Sequence, residues 1–435
     1  MVSKKRWAVA AVSFVLVVGL FVLTRWAVTG VDAQNAYEDL KTFTEVMSLI
    51  KKNYVEEVNV KELIQGAIKG MVTSLDPHSA YLTPDAFKDL QVETKGEFGG
   101  IGIQIGIKDN MLTVIAPIED TPAYRAGIKA GDKILKINNE STKNMSIHDA
   151  VAKMRGKKGT SLTITIFREG MKEAKDFTIV RDIIKIKSVK AKMLQDNIGY
   201  VKLTQFQESS AADLKKALDN LKKEGMRSLI LDLRNDPGGL LNSAVEVVEH
   251  FLPPKTLVVY IKGKKGDRNE YYTELESPAY KDIPMVVLVN QGSASASEIV
   301  AGALKDWNRA VIVGVQTFGK GSVQSLIPLS DGSGLRLTTA KYYTPKGTSI
   351  QGVGITPDIV VKLETKDKAT KEHPVIREKD LERHLKNEQT PDEKAEKETS
   401  PLEVDEKDDN QLQRAIDVIK TWRVFDSMAK ARGQS

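Results

Sequence analysis

Asn290-Gln291-Gly292-Ser293-Ala294-Ser295-Ala296-Ser297-Glu298 follows directly on the apolar run Met285–Val289, four of whose five residues are aliphatic. The run reads as a parallel strand buried on both faces. It stops at small residues, which let a backbone turn sharply and approach a ligand. Ser297 is a cap candidate for a helix from Glu298 to about Asp306, with Glu298 in the first turn where the helix dipole favours an acid. A hydroxyl at such a strand-to-helix turn sits near backbone N–H groups able to stabilise an oxyanion. After a second strand-like run, 310–315, Lys320 stands between Gly319 and Gly321, with nothing bulky beside it. A serine hydroxyl needs a base to become a nucleophile, and a lysine serves once burial lowers its pKa.

Spacing does not choose among Ser293, Ser295 and Ser297. His78, His148, His250, His373 and His384 all lie in other segments, and no Gly-x-Ser-x-Gly elbow surrounds the serines. Gly314 to Lys320 has the spacing of a phosphate loop. The next residue, however, is Gly321 rather than a magnesium-binding Ser or Thr, and the stretch after it contains Pro328 instead of opening a helix.

The Ser/Lys pattern resembles the C-terminal processing, or tail-specific, proteases, which are Ser–Lys peptidases carrying a PDZ domain. The resemblance covers roughly residues 43–361. It implies that Ser295 is the nucleophile, Lys320 its general base and Gln324 the residue that orients the lysine. It further implies an oxyanion hole from the N–H groups of Gly239, in Arg234-Asn235-Asp236-Pro237-Gly238-Gly239, and of Ala296. The implied fold is an α/β protease core of crotonase/Clp-like ββα units, with an inserted PDZ domain, an N-terminal helical arm and an N-terminal membrane helix. The implied chemistry uses no cofactor, metal or ATP. Gln324 suits its role physically, since its carbonyl accepts from an amine without adding a charge that would restore the ammonium.

The 435 residues suggest two or three domains. The net charge of +6 is modest and partly terminal, so it does not argue for nucleic acid. Without cysteine, disulfides and thiolate metal sites are excluded. Lys4-Lys5-Arg6 precedes an apolar run, 7–23, extended by Trp26-Ala27-Val28. Residues 1–33 are therefore expected to be a retained transmembrane anchor with a cytoplasmic N-terminus, or else a secretory signal cleaved near Val31-Asp32-Ala33. Either way the remainder is placed outside the cytoplasm, on the periplasmic or cell-surface face, inner-membrane anchored or secreted.

Residues 34–93 form the helical arm. Its apolar residues recur at helical spacing in two runs broken around 55–59, before the link Ser74-Leu75-Asp76-Pro77-His78-Ser79-Ala80-Tyr81-Leu82. His78 reads as structural. Residues 94–183 resemble a PDZ domain. Phe98-Gly99-Gly100-Ile101-Gly102-Ile103 matches the loop that binds a terminal carboxylate, the following strand offers an edge to an extended peptide, and 147–154 is the groove helix. The resemblance gives Arg155 a role in coupling peptide binding to the active site; alone it is a solvated basic turn.

Strand–helix alternation over 184–362 predicts helices on a mainly parallel sheet. Residues 363–410 are rich in Lys and Glu and read as a flexible linker. Residues 411–435 regain helical periodicity, with a second protomer as one candidate partner for the apolar face and the chain's own core as the other. The expected partners are proteins or peptides with free C-termini, and the membrane. The function expected is tail-selective peptide-bond hydrolysis, against the alternative of a non-catalytic PDZ scaffold on a protease-like fold. Retention of Ser295, Lys320 and Gln324 together argues for the enzyme.

Overall fold

Met285–Val289 lies inside a six-stranded sheet ordered Val189–Leu194, Ile198–Leu203, Ser228–Asp232, Met285–Val289, Val311–Gly314 and Ile359–Val360. Only the first pair is antiparallel; the others run parallel. The computed structural model describes residues 37–364, 373–390, 399–400 and 408–432.

Alternation along the strands separates two hydrophobic layers. Leu229, Leu231, Met285, Val287 and Val289 face helices Ser210–Lys223, Leu241–Glu249 and Ala296–Asp306. Ile230, Val286 and Leu288 face the opposite way, onto Leu412, Ala415 and Ile419 of the terminal helix Asn410–Arg432. Burial on both sides is why Met285–Val289 is apolar at every position, each such Val or Leu contributing about 1.5–3 kcal/mol. It also answers the partner question for the first half of the terminal helix, which is seated on its own core.

A second, antiparallel sheet carries Ala80–Leu82, Gly334–Tyr343, Leu257–Gly263 and Arg268–Tyr272, with Ser322–Pro328 paired to Gly334–Tyr343. The lysine loop therefore leaves the parallel sheet at Gly314 and enters the antiparallel one at Ser322. The PDZ region is a sheet ordered Ile103–Lys108, Met111–Pro117, Lys133–Ile137, Ser161–Phe167 and Lys175–Val180, closed over its own core by helix Ile147–Met154. Ile103–Lys108 is one of its two edge strands.

The part of the arm up to Ser74 is a separate unit, whereas residues 75–93, most of helix Pro84–Lys95 among them, belong to the unit that holds the rest of the chain. The helices of the first part span 37–53 and Val60–Thr73, the second capped by the Asn59 side chain.

Two expectations are corrected. The membrane-spanning helix was placed on residues outside the described ones, and among the described residues no helix is long and apolar enough to cross a membrane. The longest, Asn410–Arg432, carries Arg414, Asp417, Lys420, Arg423 and Asp426, each costly in hydrocarbon. Inner-membrane anchoring, as a fold element, as a partner and as a location, is corrected to that extent: no described helix supplies it. Residues 376–390, in the tract read as a free linker, lie instead on the core, where Glu378 is fully buried and Asn387 and Gln389 bond to the backbone of Ser349–Gln351 and Gly347.

Candidate active site

The serine loop is tied down by side chains that mimic backbone. Asn290 Oδ1 accepts from the N–H groups of Gly292 and Asn235, and Asn290 Nδ2 donates to Asn235 Oδ1. The Ser293 hydroxyl donates to Leu233 O at 2.8 Å and accepts from Asn290 N. The Ser297 hydroxyl donates to Asp236 O at 2.9 Å. Both flanking hydroxyls are thus spent on stitching this loop to the neighbouring segment 233–239. Ser295, between them, is held at φ 55°, ψ −111°. That conformation costs a non-glycine residue about 1–3 kcal/mol and persists only where the surroundings over-determine it.

Much of that determination comes from Glu298. Its carboxylate is fully buried. One oxygen accepts from Ser295 N at 2.8 Å and Lys320 N at 2.9 Å; the other accepts from Gly319 N at 2.8 Å and from the Thr317 hydroxyl. Thr317 Oγ1 itself accepts from Ile355 N, so its proton must point at Glu298. Four donors converge on the carboxylate, the pattern of an ionised group, while burial pushes its pKa up to about 7. Glu298 entered the sequence reading only as a first-turn acid. The signal that identifies it is the Ser295-x-x-Glu298 spacing of a capping box.

Turn 234–239 approaches the serine from the other side. A Cβ on Gly238 would lie 2.8 Å from Ala296 N and 2.9 Å from Ser295 Cβ. Gly239 has φ 145°, and a Cβ there would be 2.1 Å from Phe206 O. Phe206 bonds the residues on either side of Gly239, through Gly238 O and Leu240 N. The Gly239 N–H is left outside that ladder, and the Ala296 N–H is the first orphan donor of its helix.

Lys320 is half-buried. Its pKa is lowered, first by burial and then by the Arg336 charge, against opposing pulls from Glu378, Glu298 and Asp76. None of these acids forms an ion pair with it among the described residues. Tyr342 is buried, which pushes its pKa up to about 12 against a lowering pull from Ser295, and its N–H donates to Gly321 O at 2.7 Å. The Gln324 amide nitrogen donates to Ser322 Oγ at 2.9 Å and lies 3.4 Å from Thr338 Oγ1. No hydrogen bond joins Gln324 to Lys320 among the described residues.

Phe98, Gly100, Ile101, Gly102 and Ile103 line a groove of about 290 Å³ with Ile147, Val151, Met154 and Arg155. Gly99 lies on the same strand, Glu97–Gly100, and accepts from Gly156 N at 3.0 Å. Arg155 is ion-paired to Asp89 on helix Pro84–Lys95, with its guanidinium 5.1 Å from the centre of the Phe98 ring.

Three family profiles match parts of the chain. The profile of peptidase family S41 matches residues 197–361, the PDZ domain 113–168, and the activating protease CtpB N-terminal domain 25–86. The carboxy-terminal-processing protease of Bartonella bacilliformis is 43% identical over 398 residues, 91% of this chain and 91% of that protein. The carboxy-terminal processing protease CtpB of Bacillus subtilis is 39% identical over 72% of this chain and 66% of its own length. A solved photosystem II D1 C-terminal processing protease is 30% identical, covering 73% of this chain and 92% of that one, with a TM-score of 0.43. The chain is an extracytoplasmic serine endopeptidase with a PDZ substrate-recognition domain. It belongs to the C-terminal processing proteases of peptidase family S41.

Proposed function

We propose that Ser295 is the nucleophile and Lys320 its general base, acting on proteins whose free C-termini enter the Phe98–Ile103 groove. Neutral Lys320 takes the proton of Ser295 Oγ as that oxygen attacks the scissile carbonyl carbon. The N–H groups of Gly239 and Ala296 receive the resulting oxyanion. Collapse breaks the C–N bond, and the lysine ammonium returns its proton to the leaving amine. Water then repeats the sequence on the acyl-enzyme and releases the new C-terminus. Gln324, its amide nitrogen engaged by Ser322 and Thr338, has its carbonyl as the end available to the lysine amine.

The observation that carries this reading is that the Ser295 and Lys320 backbones converge on a single oxygen of Glu298. The committed hydroxyls of Ser293 and Ser297 add support. We assign the arm to 34–93, the PDZ domain to 94–183 and the protease core to 184–362; the PDZ and peptidase matches fall inside the last two, and the N-terminal match, 25–86, overlaps the first.

The test is digestion of an unfolded protein, followed by mass spectrometry. Ser295→Ala abolishes cleavage with the fold intact, while Ser293→Ala and Ser297→Ala retain it at reduced thermal stability. A folded, inactive Ser293→Ala beside an active Ser295→Ala overturns the assignment.

A further inference from the structure

We infer that Arg377 and Glu378, on a strap within the charged tract that lies on the core, are positioning residues for the Lys320 base. The inference rests on the reading of Lys320 just given. The segment from Gln316 to Gly321 has no regular secondary structure, so nothing in its own ladder fixes the lysine. Glu298 holds it from inside, at residues 317, 319 and 320. From outside, the Arg377 guanidinium donates to Gln316 O at 2.7 Å and Thr317 O at 3.1 Å. Glu378 N donates to Phe318 O at 3.1 Å. Three successive carbonyls before the lysine are therefore taken by two successive strap residues.

The Glu378 side chain reaches the other side of the lysine. Its Oε1 accepts from Gln351 Nε2 at 2.8 Å, and Gln351 Oε1 accepts from Gly321 N at 3.0 Å. Its Oε2 meets His78 Nε2 at 2.7 Å. A carboxylate buried this completely is expensive to desolvate and is stable only with such partners. The pairing also explains His78, which links the Asp76–Ser79 segment to the lysine loop. Besides its bonds, Glu378 places a negative charge close enough to act on the Lys320 amine. The charged groups acting on that amine are Arg336, Glu378, Glu298 and Asp76, with His78 bonded to Glu378. Glu378 thus both holds the loop and limits how far burial lowers the lysine's pKa.

The experiment compares Arg377→Ala, Arg377→Lys, Glu378→Gln and Glu378→Ala in the full chain. The substrate is a quenched fluorescent peptide with a free apolar C-terminus, and thermal unfolding is followed in parallel. Arg377→Ala and Glu378→Ala are expected to lower kcat by about tenfold or more with KM within about twofold, since the base is misplaced while the PDZ groove is untouched. Arg377→Lys regains part of the loss. Glu378→Gln keeps the side-chain shape but loses the charge, so the acid limb of its kcat–pH profile moves to lower pH. Should Glu378→Ala not fold, the half-buried Arg377 pair decides. Unchanged kcat in Arg377→Ala, or an acid limb in Glu378→Gln that coincides with wild type, overturns the inference. Lys320→Ala and Ser295→Ala run alongside: their remaining active would instead overturn the catalytic assignment on which the strap's role depends.

Discussion

Ser295 and Lys320 are joined through one atom: Glu298 Oε2 accepts from both backbone amides, at 2.8 and 2.9 Å. The two residues are 25 positions apart, on a strained turn and on an irregular loop, so neither element could set their relation by itself. A buried acceptor shared between them sets it from below.

Glu298→Gln is expected to lower kcat by about tenfold or more while leaving KM for a tailed peptide nearly unchanged. The substituted amide presents N–H groups to at least one amide donor, so that donor loses its acceptor and the loop shifts. Loss of a buried, charge-assisted acceptor is expected to destabilise the fold by about 1–3 kcal/mol. Chemical denaturation together with steady-state kinetics checks both, and a variant matching wild type in kcat would remove Glu298 from the account.

Lys320→Arg is expected to be as inactive as Lys320→Ala, because arginine stays protonated and cannot accept the serine's proton. In wild type, burial and the Arg336 charge lower the lysine's pKa. The neutral, proton-accepting fraction grows as pH rises through that pKa, so activity falls on acidification and reaches a plateau on the alkaline side. A kcat–pH profile with active-site titration checks this; near-normal turnover in Lys320→Arg would mean that the residue serves only as a charge.

Gly239→Ala is expected to reduce kcat by roughly 100-fold or more, the scale of losing one oxyanion donor. The added methyl would sit 2.1 Å from Phe206 O, on a backbone with φ 145°, so the peptide carrying the N–H must move. Substrate binding to the PDZ groove should persist, and a peptide-binding isotherm beside the kinetics separates the two.

Arg155→Ala tests whether the PDZ domain controls the catalytic site or only tethers substrate. Arg155 joins the groove to helix Pro84–Lys95 through Asp89, so a peptide in the groove can change a contact outside the PDZ domain. Control predicts a fall in kcat at saturating tailed substrate, with amidated tails giving a similarly low kcat on wild type. A rise in KM alone is the signature of a tether, acting through local concentration.

What the sequence determined by itself was whatever depends on neighbours along the chain. The five apolar residues 285–289 announce a strand buried on both faces, and the small residues after them a tight turn. Periodicity and turn chemistry are local, so they can be read in order. Only the tertiary structure decided that the hydroxyls of Ser293 and Ser297 are spent within the scaffold, since their acceptors, Leu233 O and Asp236 O, lie about sixty positions away. It alone turned Glu298 from a helix-end acid into the joint between two loops, and brought Glu378 against His78 across 300 positions. The Lys/Glu-rich composition of 363–410 averages over that strap and hides it, because burial of one carboxylate depends on partners that composition does not name.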